Sequence, residues 1–323
     1  MAFLQNRGDI AAHRVEWFEL FGRLGVTAAS YPFDYVKVLI QIGHEPLPPR
    51  PTRTLFGRPA IALPGVFTYM KHIRKVDGFT GLYRGLIPKL CTNMISGFTY
   101  RIVLERLPSL EPEELAGKND EDLTSEQRLT LYMHGLIRET AARCVQIIAS
   151  HPFHIITIRT MAQFVGREET YGGIFGSLKE IYNQDGILGF FSCLIPRMVG
   201  EILTFWFCNT AAFLINTYVV EEETLKSYVK PFMSYIASTL FYPFIVTSNV
   251  IIVNNCGLKA GIPPNMPIYS SWSDCWSHLS AIGQLKRGSS ILWRYYSGPY
   301  MGSTLQTQPK RVYAQALADR HYY

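Results

Sequence analysis

The stretch Tyr31-Pro32-Phe33-Asp34-Tyr35-Val36-Lys37-Val38-Leu39-Ile40-Gln41 places a proline inside an apolar-periodic helix, with an acid two residues on and a base five on. Two weaker copies follow. They are His151-Pro152-Phe153-His154-Ile155-Ile156-Thr157-Ile158-Arg159 and Tyr242-Pro243-Phe244-Ile245-Val246-Thr247-Ser248. Three aromatic-flanked prolines in three apolar helices announce an internal repeat, and a repeat sets the architecture. Within a helix each proline removes a hydrogen bond and favours a kink. The repeat intervals are 120 and 91 residues, so the connections differ more than the helices do.

Composition decides what solvent those helices meet. Of the 323 residues, 48% are hydrophobic, 13% aromatic and only 17% charged, too apolar for an ordinary soluble surface. Phe232 to Val253 is 22 residues without a charge and meets the spanning criterion outright. The other apolar runs are interrupted by single charges. The sequence therefore predicts an all-α, multi-pass membrane protein. Residues 1–16 lack the apolar core of a secretory signal, which predicts internal targeting. The six cysteines are scattered without metal-like spacing and imply no disulfide framework.

Outward from the first motif the chain divides in order. An N-terminal segment, 1–16, precedes a first repeat, 17–107, with spans near 17–42 and 90–107. Between them lies a proline-rich extended connection, Glu45 to Pro64, then a short amphipathic helix with Phe67, Met70, Ile73 and Val76 on its apolar face. That helix ends in Asp77-Gly78, followed by Tyr83-Arg84-Gly85 and Leu86-Ile87-Pro88-Lys89. After an acidic connector, 108–128, a second repeat, 129–219, has spans near 136–164 and 198–219. Its short helix around Phe175, Leu178 and Ile181 ends in Asp185-Gly186, and Leu194-Ile195-Pro196-Arg197 echoes Leu-Ile-Pro-Lys. The third repeat, 220–296, has the span 232–253 and then only Gly283 and Arg287-Gly288. The polar tail, 297–323, holds no apolar run able to cross ~30 Å of hydrocarbon. Five spans are expected, the sixth missing.

Loop charge separates into two faces. Residues 43–86, 164–194 and 255–296 total +6, while 1–16, 108–128 and 220–230 total −6. With alternating spans these are opposite sides of the membrane. The chain's net charge of +6 is thus a matter of orientation rather than of nucleic-acid binding. No phosphate loop, zinc-protease helix motif or nucleophile elbow is present, so no enzyme activity, cofactor or metal is expected.

The motif Pro32-x-Asp34-x-x-Lys37, with Asp77-Gly78 and Tyr83-Arg84-Gly85, resembles the repeat of mitochondrial carriers. More closely, Tyr35 to Pro49, His151 to Glu168, Tyr242 to Asn249, Asn254 to Leu258 and Tyr269 to Trp276 resemble the mitochondrial carrier homolog family, an outer-membrane offshoot. The resemblance covers about residues 20–295. It implies a degenerate carrier fold of three pseudo-repeats in the mitochondrial outer membrane. It also implies insertion of α-helical, notably tail-anchored, client proteins and a receptor role for a pro-apoptotic BH3-type protein. Pro32, Asp34, Pro152, Pro243, Asp77, Gly78, Asp185 and Gly186 are the repeat-motif positions. In carriers the acids and bases of the three proline motifs pair in a ring that closes the pore. Here His154, Thr157, Ile245 and Ser248 occupy ring positions, so three inter-repeat ion pairs cannot form.

Charges nonetheless fall within the spans. Lys37, Glu139, Arg143, Arg159, Arg197, Glu201 and Asn249 are the candidate lining of a polar groove open sideways to lipid. Each ion at the bilayer centre costs ~2.5–3.5 kcal/mol on the insertion scale, so such groups face water or one another. Glu139 and Arg143, at i and i+4, can pair along their own helix, and Arg159 and Arg197 can reach the interface. His151 and His154 read as helix-packing residues. The function expected is an insertase. A docking scaffold and a lipid scramblase are the alternatives, and a solute transporter fits least.

Overall fold

A computed structural model describes residues 22–295 apart from 23, 54–58, 109–123 and 221. The N-terminal segment, most of the acidic connector and the polar tail lie outside the described residues. The described chain is helical but for one small ribbon. In order it forms α1 (24–41), β1 (Arg50–Arg53), β2 (Pro59–Ala62), α2 (Val66–Gly81), α3 (Leu86–Arg106), α4 (Ser125–Gly166), α5 (Gly173–Asp185), α6 (Leu194–Tyr218), α7 (Glu223–Leu240), α8 (Tyr242–Val253) and α9 (Trp272–Ala281).

Pro32 and Pro152 sit inside unbroken helices, as expected. The third motif differs. The uncharged run 232–253 is not one helix: α7 and α8 meet at Phe241 with a 51° bend, and Pro243 occupies the first turn of α8. A first-turn proline sacrifices no hydrogen bond, so the break relieves what Pro243 would cost in mid-helix. Only the stretch Ile187–Tyr218 is by itself long and apolar enough to cross a membrane, and this bent pair is a second when taken together. The 21 residues of α3 and 42 of α4 give ~31 and ~63 Å of helix, ample in length but interrupted by charge. α4 begins earlier than the apolar pattern because Thr124 and Gln127 form a reciprocal capping box.

The proline-rich connection is also corrected. Arg50–Arg53 pairs antiparallel with Pro59–Ala62, and Ala62 bridges onward to Tyr295, so part of the stretch is a ribbon. On α2 the buried face is Val66, Tyr69 and Ile73, whereas Phe67 points outward at 65% exposure. On α5, Ile181 is buried and Leu178 packs on the core, but Phe175 is 87% exposed.

The core is lopsided. It gathers the C-terminal parts of α1, α4 and α8 with the three short helices, through Tyr31, Tyr35, Leu39, Ile155, Val250 and Leu279 among others. Away from that end burial thins. None of the described residues 24–30 is buried, and α7 buries only Ala237 among its described side chains. Closing the packed end, Tyr31 donates to the Arg84 carbonyl at 2.6 Å, and a Cβ on Gly85 would lie 2.8 Å from that hydroxyl. Gly85 has φ +86, the left-handed region. Its counterpart 108 residues on, Cys193, holds φ +58 despite its side chain.

A polar interior between the helices

Four elements bring charges together just above the packed core. Lys89, in the first turn of α3, lies in the electrostatic field of Asp34 on α1 and of Arg197 and Glu201 on α6. Arg197 donates through Nε to Glu201 at 2.8 Å and through Nη1 to His151 Nδ1 at 3.0 Å. A guanidinium can only donate, so Nδ1 is the lone-pair nitrogen, and Nε2–H donates to the Ser192 carbonyl at 2.8 Å. His154 lies near Arg197, Lys89 and His151 and hydrogen-bonds Asn249. The two histidines are thus part of the polar interior rather than simple packing residues.

Lys37 meets no acid of another repeat. Its ammonium stands 5.3 Å from the centre of the Tyr242 ring, a cation–π contact. In place of ring ion pairs, neutral hydrogen bonds join α1 to α8. Asn249 donates to Gln41 Oε1 and Gln41 Nε2 donates to Tyr242, both at 2.8 Å, and Tyr242 donates to the Arg287 carbonyl at 3.1 Å. Arg287 Nε in turn caps α1, donating to the Gln41 carbonyl at 2.9 Å.

Farther along α4, toward its N-terminus, Arg143 lies between aromatic rings, 4.1 Å from Phe205 and 5.7 Å from Tyr100. The expected pairing of Glu139 with Arg143 does not appear among the described ion pairs. Glu139 instead faces Tyr100 and lines a cavity of about 210 Å³ with Tyr132, Phe205 and Asn209. Stacking replaces pairing because both neighbouring helices offer a ring at that level.

Arg159 is the clear correction. It neither lines the interior nor reaches the interface. It is 2% exposed and donates to the Ile252 carbonyl at 3.1 Å, to Tyr171 at 3.3 Å and to Asp185 Oδ2 at 3.0 Å. It ties α4 to α5 and α8. The first repeat has Leu39 where this base would be, and there Arg84 approaches Asp77 at 3.4 Å instead. Asp77 and Asp185 are therefore both held by arginines, reached from different sides.

Of the expected residues, Arg197, Glu201 and Asn249 are brought together, Lys37 is one contact removed, and Glu139 with Arg143 form a second level. Lys89, Gln41, His151 and His154 were missed as lining. Lys89 had a usable signal, since Leu-Ile-Pro-Lys and Leu-Ile-Pro-Arg are repeat-equivalent and Arg197 was already a candidate. A larger cavity of about 490 Å³ lies between Gly43–Pro49 and the segment 283–295. Its arginines are committed: Arg287 to Gln41 and Gln284, Arg294 to Glu45 and the Pro64 carbonyl. It does not join the polar interior.

Outside the spans, burial and the neighbouring His72 push the His44 imidazole down to about 4, and burial pushes the Tyr171 phenol up to about 12. Both sit in the packed end, where a charged form would lose its hydration.

The sequence model of the family described as Mitochondrial carrier protein matches residues 20–110 and 132–219. The chain is similar to Mitochondrial carrier homolog 2 of Homo sapiens, 42% identical over 275 residues, 84% of this chain and 91% of that protein. It is similar also to Mitochondrial carrier homolog 1 of Mus musculus, 40% identical over 316 residues, 90% of this chain and 79% of that one. A more distant likeness is to Mitochondrial thiamine pyrophosphate carrier 1 of Neurospora crassa, 26% identical over 224 residues, 63% and 60% of the two chains.

Proposed function

Since the chain belongs to the mitochondrial carrier homolog family, we propose that it inserts α-helical proteins, tail-anchored ones above all, into the mitochondrial outer membrane. The route is a polar interior open sideways to lipid. The observation that carries this reading is the charged interior of Asp34, Lys89, His151, His154, Arg197 and Glu201 in a bundle whose α7 has one buried side chain among those described.

A tail-anchored client must move its polar C-terminal flank across hydrocarbon before its helix can settle. Two charges in that flank cost ~5–7 kcal/mol on the insertion scale. Side chains that both donate and accept substitute for water along part of the way. Relieving even ~3 kcal/mol speeds the crossing about a hundredfold. Carrier-type exchange of a solute is disfavoured, because Lys37 rests on the Tyr242 ring and has no acid of another repeat to open and close against.

The test is reconstitution of the purified protein in liposomes, with client insertion, lipid scrambling and solute exchange measured on the same vesicles. Lys37→Glu and Glu201→Leu are expected to change insertion yield several-fold while the protein stays folded. If both, singly and together, insert clients at the wild-type yield, the interior is not the route. Docking of a pro-apoptotic BH3-type protein would then be the better reading. Rapid saturable counter-exchange of a metabolite would instead restore the transporter.

A further inference from the structure

The first two repeats run in register at a constant offset of 108 residues, from Val66 and Ile174 through Asp77 and Asp185 to Lys89 and Arg197. Inward positions agree for reasons of packing: Ile73 and Ile181 are both buried, as are Pro88 and Pro196. Outward positions carry no such constraint, and many have drifted. Arg74 answers to Tyr182, Lys75 to Asn183 and Thr68 to Gly176. Two outward positions have not drifted. Phe67 and Phe175 are the same residue, 65% and 87% exposed, and Lys71 and Lys179, one turn farther on, are both lysines and both exposed.

The protein's own packing does not explain a phenyl ring kept outward in both copies. Each ring is followed, past its Asp-Gly turn, by another outward apolar residue: Phe79 at 61% exposure and Ile187 at 66%, with Leu188 at 82%. The two short helices also lie where the bundle enters the bilayer, for α2 is followed within five residues by α3 and α5 within nine by α6.

We propose that α2 and α5 are seated in the headgroup region of an anionic phospholipid leaflet by these Phe–Lys pairs, the rings at the acyl boundary and the ammonium groups on lipid phosphate. Amphipathic helices bind interfaces in this way, through apolar area joined to electrostatic attraction. The two anchors differ in kind. On α2 the exposed Lys71, Arg74 and Lys75 face only Asp77, which Arg84 approaches, so this seat depends on lipid charge. On α5 Lys179 neighbours Glu180, and the apolar group Phe175, Ile187 and Leu188 dominates, so this seat depends on apolar contact. The inference concerns how the protein sits in the membrane, and it stands whether or not the polar interior passes clients.

The experiment replaces Phe67 or Phe175 by a diazirine-bearing residue in the full chain, reconstituted in vesicles of phosphatidylcholine with a minor share of phosphatidylglycerol. Photolysis and mass spectrometry then identify what each position touches. Lipid adducts are expected at both. At position 67 phosphatidylglycerol should be enriched about fivefold over its share in the vesicle, as one basic side chain near an anionic surface predicts. The enrichment should vanish in a Lys71→Ser, Arg74→Ser, Lys75→Ser background whose total lipid adduct persists. At position 175 adducts should follow the bulk composition. Adducts mainly with solvent or with protein at both positions would overturn the seating. Lipid adducts without enrichment at position 67 would overturn its anionic character.

Discussion

Arg159 shows how far one side chain's meaning depends on partners distant in sequence. Alone in an apolar helix it looks like a groove cation, yet Asp185, Tyr171 and Ile252 surround it. Removing one member of a buried pair costs ~3–5 kcal/mol, and since the Asp185 side chain keeps 38% of its surface the cost here is about 2–3 kcal/mol. Arg159→Leu should therefore lower thermal stability in detergent more than Asp185→Asn does, because the latter leaves two of the three bonds of Arg159. Equal melting temperatures for Arg159→Leu and the wild type would contradict this. His44 supplies the pH term. Its pKa is depressed from 6.5 to about 4, so the unfolded chain takes up a proton that the folded one refuses. Stability then falls as pH drops from about 6.5 toward 4 and levels off below. The full shift would be worth ~3 kcal/mol, and residual solvent contact reduces it to about 1–2. In His44→Gln, melting temperature measured between pH 7 and 4.5 should lose that part of the decline.

Among the elements, legibility followed local signals. The helices around Pro32 and Pro152 and the ends at Asp77-Gly78 and Asp185-Gly186 were readable because proline, glycine and apolar periodicity act within a few residues. The bend at Phe241 was not, for an uncharged run of 22 residues has no break except Pro243, and that proline serves equally inside a kinked helix or at the start of a new one. The phase of α2 was misread because Phe67 continues its apolar spacing while pointing outward. The α1–α8 junction was equally hidden, since Gln41 and Asn249 are 208 residues apart and neither is charged. A buried amide left without its partner costs about 1–3 kcal/mol. Gln41→Leu should strand the Asn249 amide and lower the melting temperature, whereas Gln41→Leu with Asn249→Leu should recover part of the loss. A double variant no better than the sum of the two singles would show that the amides do not act on each other.

For the whole molecule, one asymmetry organises the rest. Buried residues collect where α1, α4 and α8 finish and where the three short helices lie, which is also the face whose loops total +6. The bundle is thus packed at its basic end and loosely packed at the other. Whether it has an odd number of crossings turns on α7 and α8. A 51° bend between two apolar helices is compatible with a broken span or with a segment that enters and leaves by the same face. Length favours the crossing: the 12 residues of α8 make ~18 Å and the 18 of α7 ~27 Å, so only the two in series exceed ~30 Å comfortably. Charge favours it too. A re-entrant pair would put residues 255–296, with a net charge of +3, beside the acidic connector and would undo the separation of the two faces. Packing adds a third reason, because α9 shares its core with α2 and α5 through Cys275, Leu279, Ile73 and Ile181, which requires all three short helices on one face. Protease sites introduced within residues 109–123 and after residue 295 should therefore be cut from opposite sides of the membrane in intact mitochondria. Cleavage of both from the same side would make α7–α8 re-entrant, reduce the crossings to four and remove the exposed flank of α7 from the route proposed for clients.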